Sequence, residues 1–332
     1  MFSMPRRVVH CPLSVACLLV TPALAMAQIE RLDPRFDTLI PRDAVIEELA
    51  DGIEWAEGPV WNARDQSLLL SDVPRNVILR WKDGEGLTRF LERSGYTGTE
   101  PFTGREPGSN GLIFDRQGRL VMCQHGNRRI ARRNEDGSIT GIADRYEGKR
   151  FNSPNDLAWG PNGNLYFTDP PYGLPGTFNS PAREIGFNGV YRVAADGTVS
   201  LVTSVLRAPN GIAFAPDGKT LYITNSEPDR ALWMAYPVRA DGSVSEGRLF
   251  AEATGGPGGP DGMKVDVNGN LFATGPGGVH VFAPDGTRLG RIVTNQPTGN
   301  VAWGGDGSVL YIAANHKLLR VRTTTRGAPA FR

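Results

Sequence analysis

The chain has 332 residues, of which 40% are hydrophobic, and its 36 basic and 35 acidic side chains leave a formal net charge of +1. A chain so close to neutral has no strongly basic surface for nucleic acid or anionic lipid, so we expect neither as a partner. Its length is enough to bury a core in one large domain or two small ones.

Residues 1–27 have the pattern of a secretory signal peptide. Arg6 and Arg7 form a basic start, an apolar run follows, and small residues around Met26 mark a cleavage site. The run is too short for a stable membrane anchor, although a retained N-terminal anchor is the alternative interpretation. We therefore expect an exported protein, periplasmic or extracellular, that has no membrane association after cleavage.

The predicted leader takes two of the three cysteines with it. Cys11 and Cys17 lie inside it, so Cys123 is left alone and the mature chain has no internal disulfide. No basic residue of assured proximity marks Cys123 as activated, and we expect it to be a small core residue.

One phrase recurs along the rest of the chain. It consists of a small or polar residue, usually Gly, then alternating apolar residues, a Gly-containing turn and a second apolar strand. The six copies begin at Glu57, Asn110, Asn155, Asn210, Asp261 and Gly299. Most copies are followed by a second hairpin, so each repeat predicts a four-stranded antiparallel unit.

Such repeats are typical of a β-propeller, here an all-β fold with six blades of four antiparallel strands in a single domain, 28–332. The sixth repeat stops one strand short after 317–322, while the alternating segment 44–53 lies unused before the first. We predict that this N-terminal strand completes the last blade and closes the ring, which leaves no edge unpaired. A pair of β-sandwiches would also contain short strands, but it leaves the shared phrase unexplained.

The first residues of the six phrases predict a metal site. The inner strand of each blade runs along the central channel, so these residues form a ring, and all but Gly299 carry a side-chain oxygen. Two carboxylates held close together repel each other unless a cation lies between them. Carboxylate and amide oxygens suit a hard divalent cation, Ca²⁺ before Mg²⁺, Mn²⁺ or Zn²⁺. The alternative is that Asn and Asp precede Gly for their turn geometry, although Glu57 is not a turn former.

Four stretches resemble one known family. They are AEGPVW around Glu57, RFNSPNDL at 150–157, PNGIAF at 209–214 and PDGMKVD at 260–266. As a set they are similar to the regucalcin/gluconolactonase (senescence marker protein) family of six-bladed lactone hydrolases, and the resemblance covers about residues 45–322. It implies a lactonase of the gluconolactonase kind with one divalent cation.

The resemblance also implies site residues. The metal ligands correspond to Glu57, Asn155, Asn210 and Asp261, and the substrate-contacting Arg of the RFN motif corresponds to Arg150. This chain has RFNSPND where regucalcin has RFND, so either Asn152 or Asn155 is the ligand. The register of the ring selects Asn155.

This site predicts metal-assisted hydrolysis of a lactone. A cation with open positions polarises the carbonyl and stabilises the oxyanion, and a nearby carboxylate accepts the proton of the attacking water. The resemblance assigns that base to Asp261 and leaves Glu57 as a ligand only, although the residues alone do not distinguish the two acids. A serine-nucleophile route is disfavoured, because the chain has no Gly-x-Ser-x-Gly motif.

Three further residues are candidates for binding substrate. Asn110 belongs to the ring and contacts the metal directly or through water. His125 ends the second strand of its repeat, where a propeller face presents it to substrate or a hydrogen bond holds it as a strand-end residue. Tyr172 lies in the Pro- and Gly-rich stretch 168–189, which we expect to form a loop over the channel mouth; the tyrosine packs on a sugar ring there or belongs to a rigid surface loop.

We therefore expect a secreted, metal-dependent lactonase acting on a small sugar lactone. A related metal-dependent phosphotriesterase or arylesterase is the alternative within hydrolases, since one metal-and-carboxylate site accepts several electrophiles. A non-catalytic propeller that binds a ligand, with a structural calcium, is the alternative outside them. The physiological substrate and the oligomeric state stay open.

Overall fold

The computed structural model describes Met1 and residues 28–331. The predicted leader therefore lies outside the described residues except for Met1, and the division into leader and mature domain stays a prediction. The described part contains 27 β-strands and three short 3₁₀ helices. No helix within it is long and apolar enough to cross a membrane.

The strands follow the repeats. Two strands precede the first phrase, β1 (Gln28–Arg31) and β2 (Ile46–Ala50). Blade one contains β3 (Ala56–Asn62), β4 (Ser67–Asp72), β5 (Val77–Lys82) and β6 (Gly86–Glu92). Blade two contains β7 (Ser109–Phe114), β8 (Leu120–Gln124), β9 (Arg129–Arg133) and β10 (Ile139–Ala143), and a separate hairpin follows with β11 (Arg145–Tyr146) and β12 (Lys149–Arg150).

The second half of the chain continues in the same order. Blade three contains β13 (Leu157–Trp159), β14 (Leu165–Asp169), β15 (Gly189–Val193) and β16 (Val199–Thr203), and blade four contains β17 (Pro209–Phe214), β18 (Thr220–Asn225), β19 (Leu232–Pro237) and β20 (Arg248–Glu252). Blade five contains β21 (Met263–Val265), β22 (Leu271–Gly275), β23 (Gly278–Phe282) and β24 (Arg288–Val293), and blade six contains β25 (Asn300–Gly304), β26 (Val309–Ala314) and β27 (Lys317–Arg322). The 3₁₀ helices are Pro34–Thr38, Thr177–Asn179 and Pro228–Arg230.

The predicted six-bladed propeller and its closing strand are confirmed. Each blade is an antiparallel sheet whose strands follow chain order from the channel outward, and each innermost strand contacts that of the next blade around a closed ring. β2 pairs with β27 as the outer strand of blade six, with Ile46 opposite Val321. Ion pairs of Glu48 with Lys317 (2.6 Å) and Glu47 with Arg320 (2.8 Å) join the two strands.

Blade five has a fifth strand that the repeats do not predict. β1 pairs with β24, with Ile29 opposite Ile292, and Glu30 receives two hydrogen bonds from Arg291. The helix that follows buries Phe36 in the core shared by blades five and six. The N-terminal segment therefore joins two neighbouring blades from the outside.

The core lies between neighbouring blades. The second strands, such as β4 and β26, are buried along their whole length because they lie in the middle of a blade that is covered on both faces. This burial explains their unbroken apolar runs. Across the closure, the Trp61 ring of blade one stacks on Tyr311 of blade six at 5.5 Å between centroids. Each large apolar side chain buried in this way contributes about 1.5–3 kcal/mol to folding.

Candidate active site

The six phrases meet at one end of the channel. Glu57, Asn110 and Asn210 lie within the inner strands β3, β7 and β17, while Asn155 and Asp261 lie two residues before the start of β13 and β21. Backbone bonds join neighbouring phrases, for example from Gly111 N to the Asn155 carbonyl (2.7 Å). The side chains of Glu57, Asn110, Asn155 and Asn210 are buried, and Asp261 keeps a partly exposed surface.

The glycines after the ring residues have a packing role. A Cβ atom at Gly58 would lie 2.0 Å from the Asn110 carbonyl oxygen, and one at Gly211 would lie 2.2 Å from the Asp261 carbonyl oxygen. Gly58 also has a φ of 49°, which disfavours any side chain. Glycine thus lets neighbouring inner strands approach closely enough for the ring to form.

Gly299, the ring member without a side-chain oxygen, makes room for Glu57. A Cβ atom there would lie 2.4 Å from Glu57 Oε1, so the carboxylate occupies the space that a sixth side chain would need. Glu57 Oε2 accepts a hydrogen bond from Gly58 N (3.0 Å). The longest side chain of the ring therefore lies across the position of the missing one.

A second layer of polar side chains lies next to the ring, and the sequence reasoning did not identify it. Asp156 and Asn300 occupy the position that is glycine in the other four phrases, and Asn300 Nδ2 approaches Asp156 Oδ2 at 3.4 Å across the channel. Asp156 also accepts from Leu157 N (2.9 Å). Lys264 Nζ lies 3.5 Å from Asn300 Oδ1. The sequence does contain a sign of this layer, because two of the six phrases have Asp156 and Asn300 in place of the glycine.

The ring oxygens fit a divalent cation. Burial, together with the nearby carboxylates, raises the pKa of Glu57 and of Asp261 well above the usual range. The Oδ1 atoms of Asn110 and Asn210 are buried without a hydrogen-bond partner. Orphaned amide oxygens beside two repelling carboxylates are what a hard cation satisfies. Within residues 28–331, no group of three or more His, Cys, Asp and Glu side chains is placed to hold a metal ion.

Tyr172 lies at the same end of the channel. Its hydroxyl lies near Ser226, which accepts a hydrogen bond from Asn210 Nδ2 (3.0 Å) and donates to the Pro260 carbonyl next to Asp261. Burial, with the charge of Asp261 nearby, raises the pKa of Tyr172, so the phenol stays protonated. The tyrosine is thus connected to the ring, while its packing on a sugar stays a prediction.

His125 lies beside Glu106, a residue that the sequence reasoning missed. The imidazole is fully buried, and its Nδ1 lies 3.1 Å from Glu106 Oε2. Glu106 belongs to the 93–108 loop, which enters blade two at the channel mouth and carries no repeat signal. Its negative charge contributes to the raised pKa of both Glu57 and Asp261.

Arg150 and Asn152 point away from the ring. The Arg150 guanidinium donates to the Asn127 carbonyl (3.2 Å), and the charges near it are Glu184 and Arg128. Asn152 Nδ2 donates to the carbonyl groups of Phe187 (3.0 Å) and Asp169 (3.2 Å). These bonds turn Asn152 towards the 170–188 loop and support Asn155 as the ring ligand. The substrate contact of Arg150 stays a prediction.

Burial raises the pKa of two further groups, Asp169 and Cys123. Burial raises the pKa of the Asp169 carboxyl to about 7, although the backbone N–H groups of Asn152 and Ser153 bond to it. Burial also raises the pKa of Cys123, which is a free, buried thiol without thiolate character.

Comparisons with known proteins agree with this geometry. Residues 55–316 match the family model described as SMP-30/Gluconolactonase/LRE-like region. The chain is 40% identical over 319 residues to a gluconolactonase from Zymomonas mobilis, covering 91% of this chain and 88% of the relative. It is 31% identical to the pentonolactonase XacC of Haloferax volcanii, covering 77% and 80%. The structure of a gluconolactonase from Xanthomonas campestris superposes with a TM-score of 0.78 at 32% identity, covering 89% of this chain and 94% of that one.

Proposed function

Because this chain belongs to the SMP-30/gluconolactonase/LRE-like family, we propose that it is an exported, divalent-cation-dependent hydrolase of sugar lactones. It is a lactone hydrolase, like the relatives named gluconolactonase and pentonolactonase, and its substrate is a small-molecule lactone. The observation that carries the cation dependence is the buried ring, in which the amide oxygens of Asn110 and Asn210 lack partners beside two carboxylates.

Glu57, Asn155, Asn210 and Asp261 would hold the cation. Their oxygen-only donor set favours Ca²⁺, with Mg²⁺, Mn²⁺ and Zn²⁺ as the alternatives. When bound, the cation supplies Lewis-acid polarisation of the lactone carbonyl and stabilises the developing oxyanion. Asn110 lies beside these ligands as a direct or water-mediated contact.

The side chains of the site have separate tasks in this proposal. Asp261, partly exposed towards the mouth, accepts the proton of the attacking water, while Glu57 is enclosed and serves as a ligand. Tyr172 remains protonated and presents a hydrogen-bonding hydroxyl. The 93–108 and 170–188 loops approach each other at Gly104 and Gly173 and cover part of the mouth, which limits the access of bulk water.

The test is hydrolysis of glucono-1,5-lactone by purified protein before and after removal of metal with a chelator, with Ca²⁺, Mg²⁺, Mn²⁺ or Zn²⁺ then restored singly. We expect activity to disappear with the chelator and to return best with Ca²⁺. A phosphotriester and an aryl ester are assayed beside it, and faster turnover of either one would favour the alternative hydrolase. Full activity in the chelated protein would refute the cation dependence.

A second test separates the two acids. Asp261→Asn keeps an oxygen ligand but removes the base, so we expect turnover to fall at least a hundredfold while Ca²⁺ binding, measured by calorimetry, weakens far less. Glu57→Gln should weaken Ca²⁺ binding and activity together. Near wild-type turnover in Asp261→Asn would show that another group is the base.

The export proposal is supported by the leader pattern in 1–27. Fractionation of cells that express the full-length chain, followed by N-terminal sequencing of the purified protein, tests it. We expect the protein outside the cytoplasm with Gln28 as its first residue. Recovery of the uncleaved chain in the membrane fraction would favour the retained anchor.

A further inference from the structure

Glu106 is an additional carboxylate at the mouth of the site. Its side chain is 29% exposed, so it is neither enclosed like Glu57 nor free in solvent. Its loop continues directly into β7, the strand that carries Asn110, and its negative charge contributes to the raised pKa of Glu57, Asp261 and Tyr172. It nevertheless lies outside the ring, because it comes from the loop that precedes β7.

His125 lies directly beside this carboxylate. The imidazole is fully buried and its Nδ1 lies 3.1 Å from Glu106 Oε2, although neither imidazole nitrogen has a hydrogen-bond partner of good geometry within residues 28–331. Gly173 packs directly on it, since a Cβ there would lie 2.6 Å from His125 Cβ. An imidazole enclosed in this way cannot turn to another partner.

The loop backbone is fixed at the same place. His125 N donates to the Gly108 carbonyl (3.1 Å), and Gly108 N donates to the Val73 carbonyl (2.9 Å). The segment that carries Glu106 is therefore anchored to blades one and two on either side of the mouth. A carboxylate on an anchored loop is a pre-organised acceptor.

One oxygen of Glu106 remains available. Oε2 faces His125, and no hydrogen bond to the carboxylate is found in residues 28–331. An ionised carboxylate only accepts hydrogen bonds, so the partners it suits are donors such as hydroxyl groups. A lactone whose carbonyl lies at the ring would present its ring hydroxyls to the surrounding mouth residues, and sugar lactones differ from simple lactones in having these hydroxyls.

We propose that Glu106, positioned by His125, accepts a hydrogen bond from a substrate hydroxyl and makes the site select polyhydroxylated lactones over unsubstituted ones. This inference rests on the proposed lactone hydrolysis. A site that bonds a substrate hydroxyl discriminates against the analogue without it, because its own polar group is then left unpaired. Glu106 contacts the substrate away from the reacting bond, and His125 is a positioning residue.

The experiment compares two six-membered lactones, glucono-1,5-lactone and δ-valerolactone, which share the ester but differ in the hydroxyls. With Glu106→Gln and Glu106→Ala, kcat/KM for gluconolactone should fall about tenfold and up to a hundredfold, mainly through KM, as expected for a bond to a charged acceptor. The value for δ-valerolactone should change less than threefold. Glu100→Gln, an exposed glutamate of the same loop, is the matched control and should leave both values unchanged.

Variants of His125 test the positioning role. His125→Leu removes the polar contact and should reproduce the selective rise in KM for gluconolactone, whereas His125→Asn, whose amide can still reach Glu106, should restore much of the selectivity. Calorimetric binding of gluconate and of 5-hydroxypentanoate gives a readout without turnover, and Glu106→Ala should weaken only the first. If His125→Leu does not fold, the two Glu106 variants still decide the question.

The outcomes separate this inference from the function on which it rests. Equal losses for both lactones, or no loss for either, would overturn the role of Glu106 while leaving the lactonase in place. Wild-type protein that accelerates neither lactone with any cation would overturn the proposed function and the inference together.

Discussion

The absence of a side chain at 299 is as important to the ring as the oxygens around it. A methyl group on Gly299 would meet the Glu57 carboxylate at 2.4 Å and the Ala56 carbonyl oxygen at 2.9 Å. For Gly299→Ala we therefore expect a displaced Glu57, a Ca²⁺ affinity reduced at least tenfold and a parallel fall in lactone hydrolysis. Gly186→Ala is the control, because nothing lies within 4 Å of a Cβ there. Unchanged affinity in Gly299→Ala would contradict this account of the ring.

The buried carboxyl of Asp169 predicts a pH dependence of stability. Its pKa is about 7 in the folded chain, against an ordinary value of 3.8, so the folded state retains the proton more tightly. The stabilisation is complete below about pH 4 and is lost as the pH rises towards 7, at about 1.4 kcal/mol per pH unit. Asp169→Asn should remove this slope. Urea unfolding of both proteins between pH 4 and 8 measures it, and parallel curves would contradict the prediction.

Single residues also show which parts of the site can be predicted from the sequence alone. Aligning the repeats predicted that Glu57 and Asp261 lie in one ring, although about two hundred residues separate them. This is possible because the position of a residue within a repeat is known from the sequence alone. The position of Glu106 could not be predicted from the sequence, because it lies in a loop outside the repeat and comes near the site only in the folded protein. Arg150 was assigned by a motif match alone; its guanidinium donates to the Asn127 carbonyl in this structure, and its contact with substrate stays a prediction.

Among the secondary-structure elements, we expect the closing strand β2 to contribute more to the thermal stability of the fold than β1. β2 completes blade six, and Leu49 and Ala50 pack on the core between blades one and six, whereas β1 adds an outer edge to a blade that is already complete. Compared with a chain that begins at Gln28, one that begins at Leu32 should unfold a few degrees lower. One that begins at Gly52 should lose at least ten degrees or fail to fold.

Thermal unfolding of the three chains measures this difference. Similar midpoints for the Leu32 and Gly52 chains would mean that β2 is not required to close the ring. The sequence predicted β2 because the sixth repeat lacked a strand and 44–53 alternates. It did not predict β1, whose four residues contain one aliphatic side chain and complete nothing that the repeat left unfinished.

For the whole molecule, the cation should stabilise the fold, because its ligands come from four different blades. A ligand at a hundred times its Kd adds about 2.7 kcal/mol, which corresponds to a rise of roughly 4 °C in Tm for a chain of this size. Calorimetry with Ca²⁺ and with chelator measures the shift. Glu57→Gln should lose most of it, and identical midpoints with and without Ca²⁺ in the wild-type chain would contradict the shared site.

The polar layer next to the ring affects how substrate enters and product leaves the propeller. Asp156 and Asn300 meet across the channel, and Lys264 lies close by. These side chains leave no room in the central channel for a molecule as large as a sugar. We therefore expect lactone and open-chain acid to use the same opening, beside the loops that carry Glu106 and Tyr172. The acid product must then leave before the next lactone can bind, so product release is a step of every catalytic cycle.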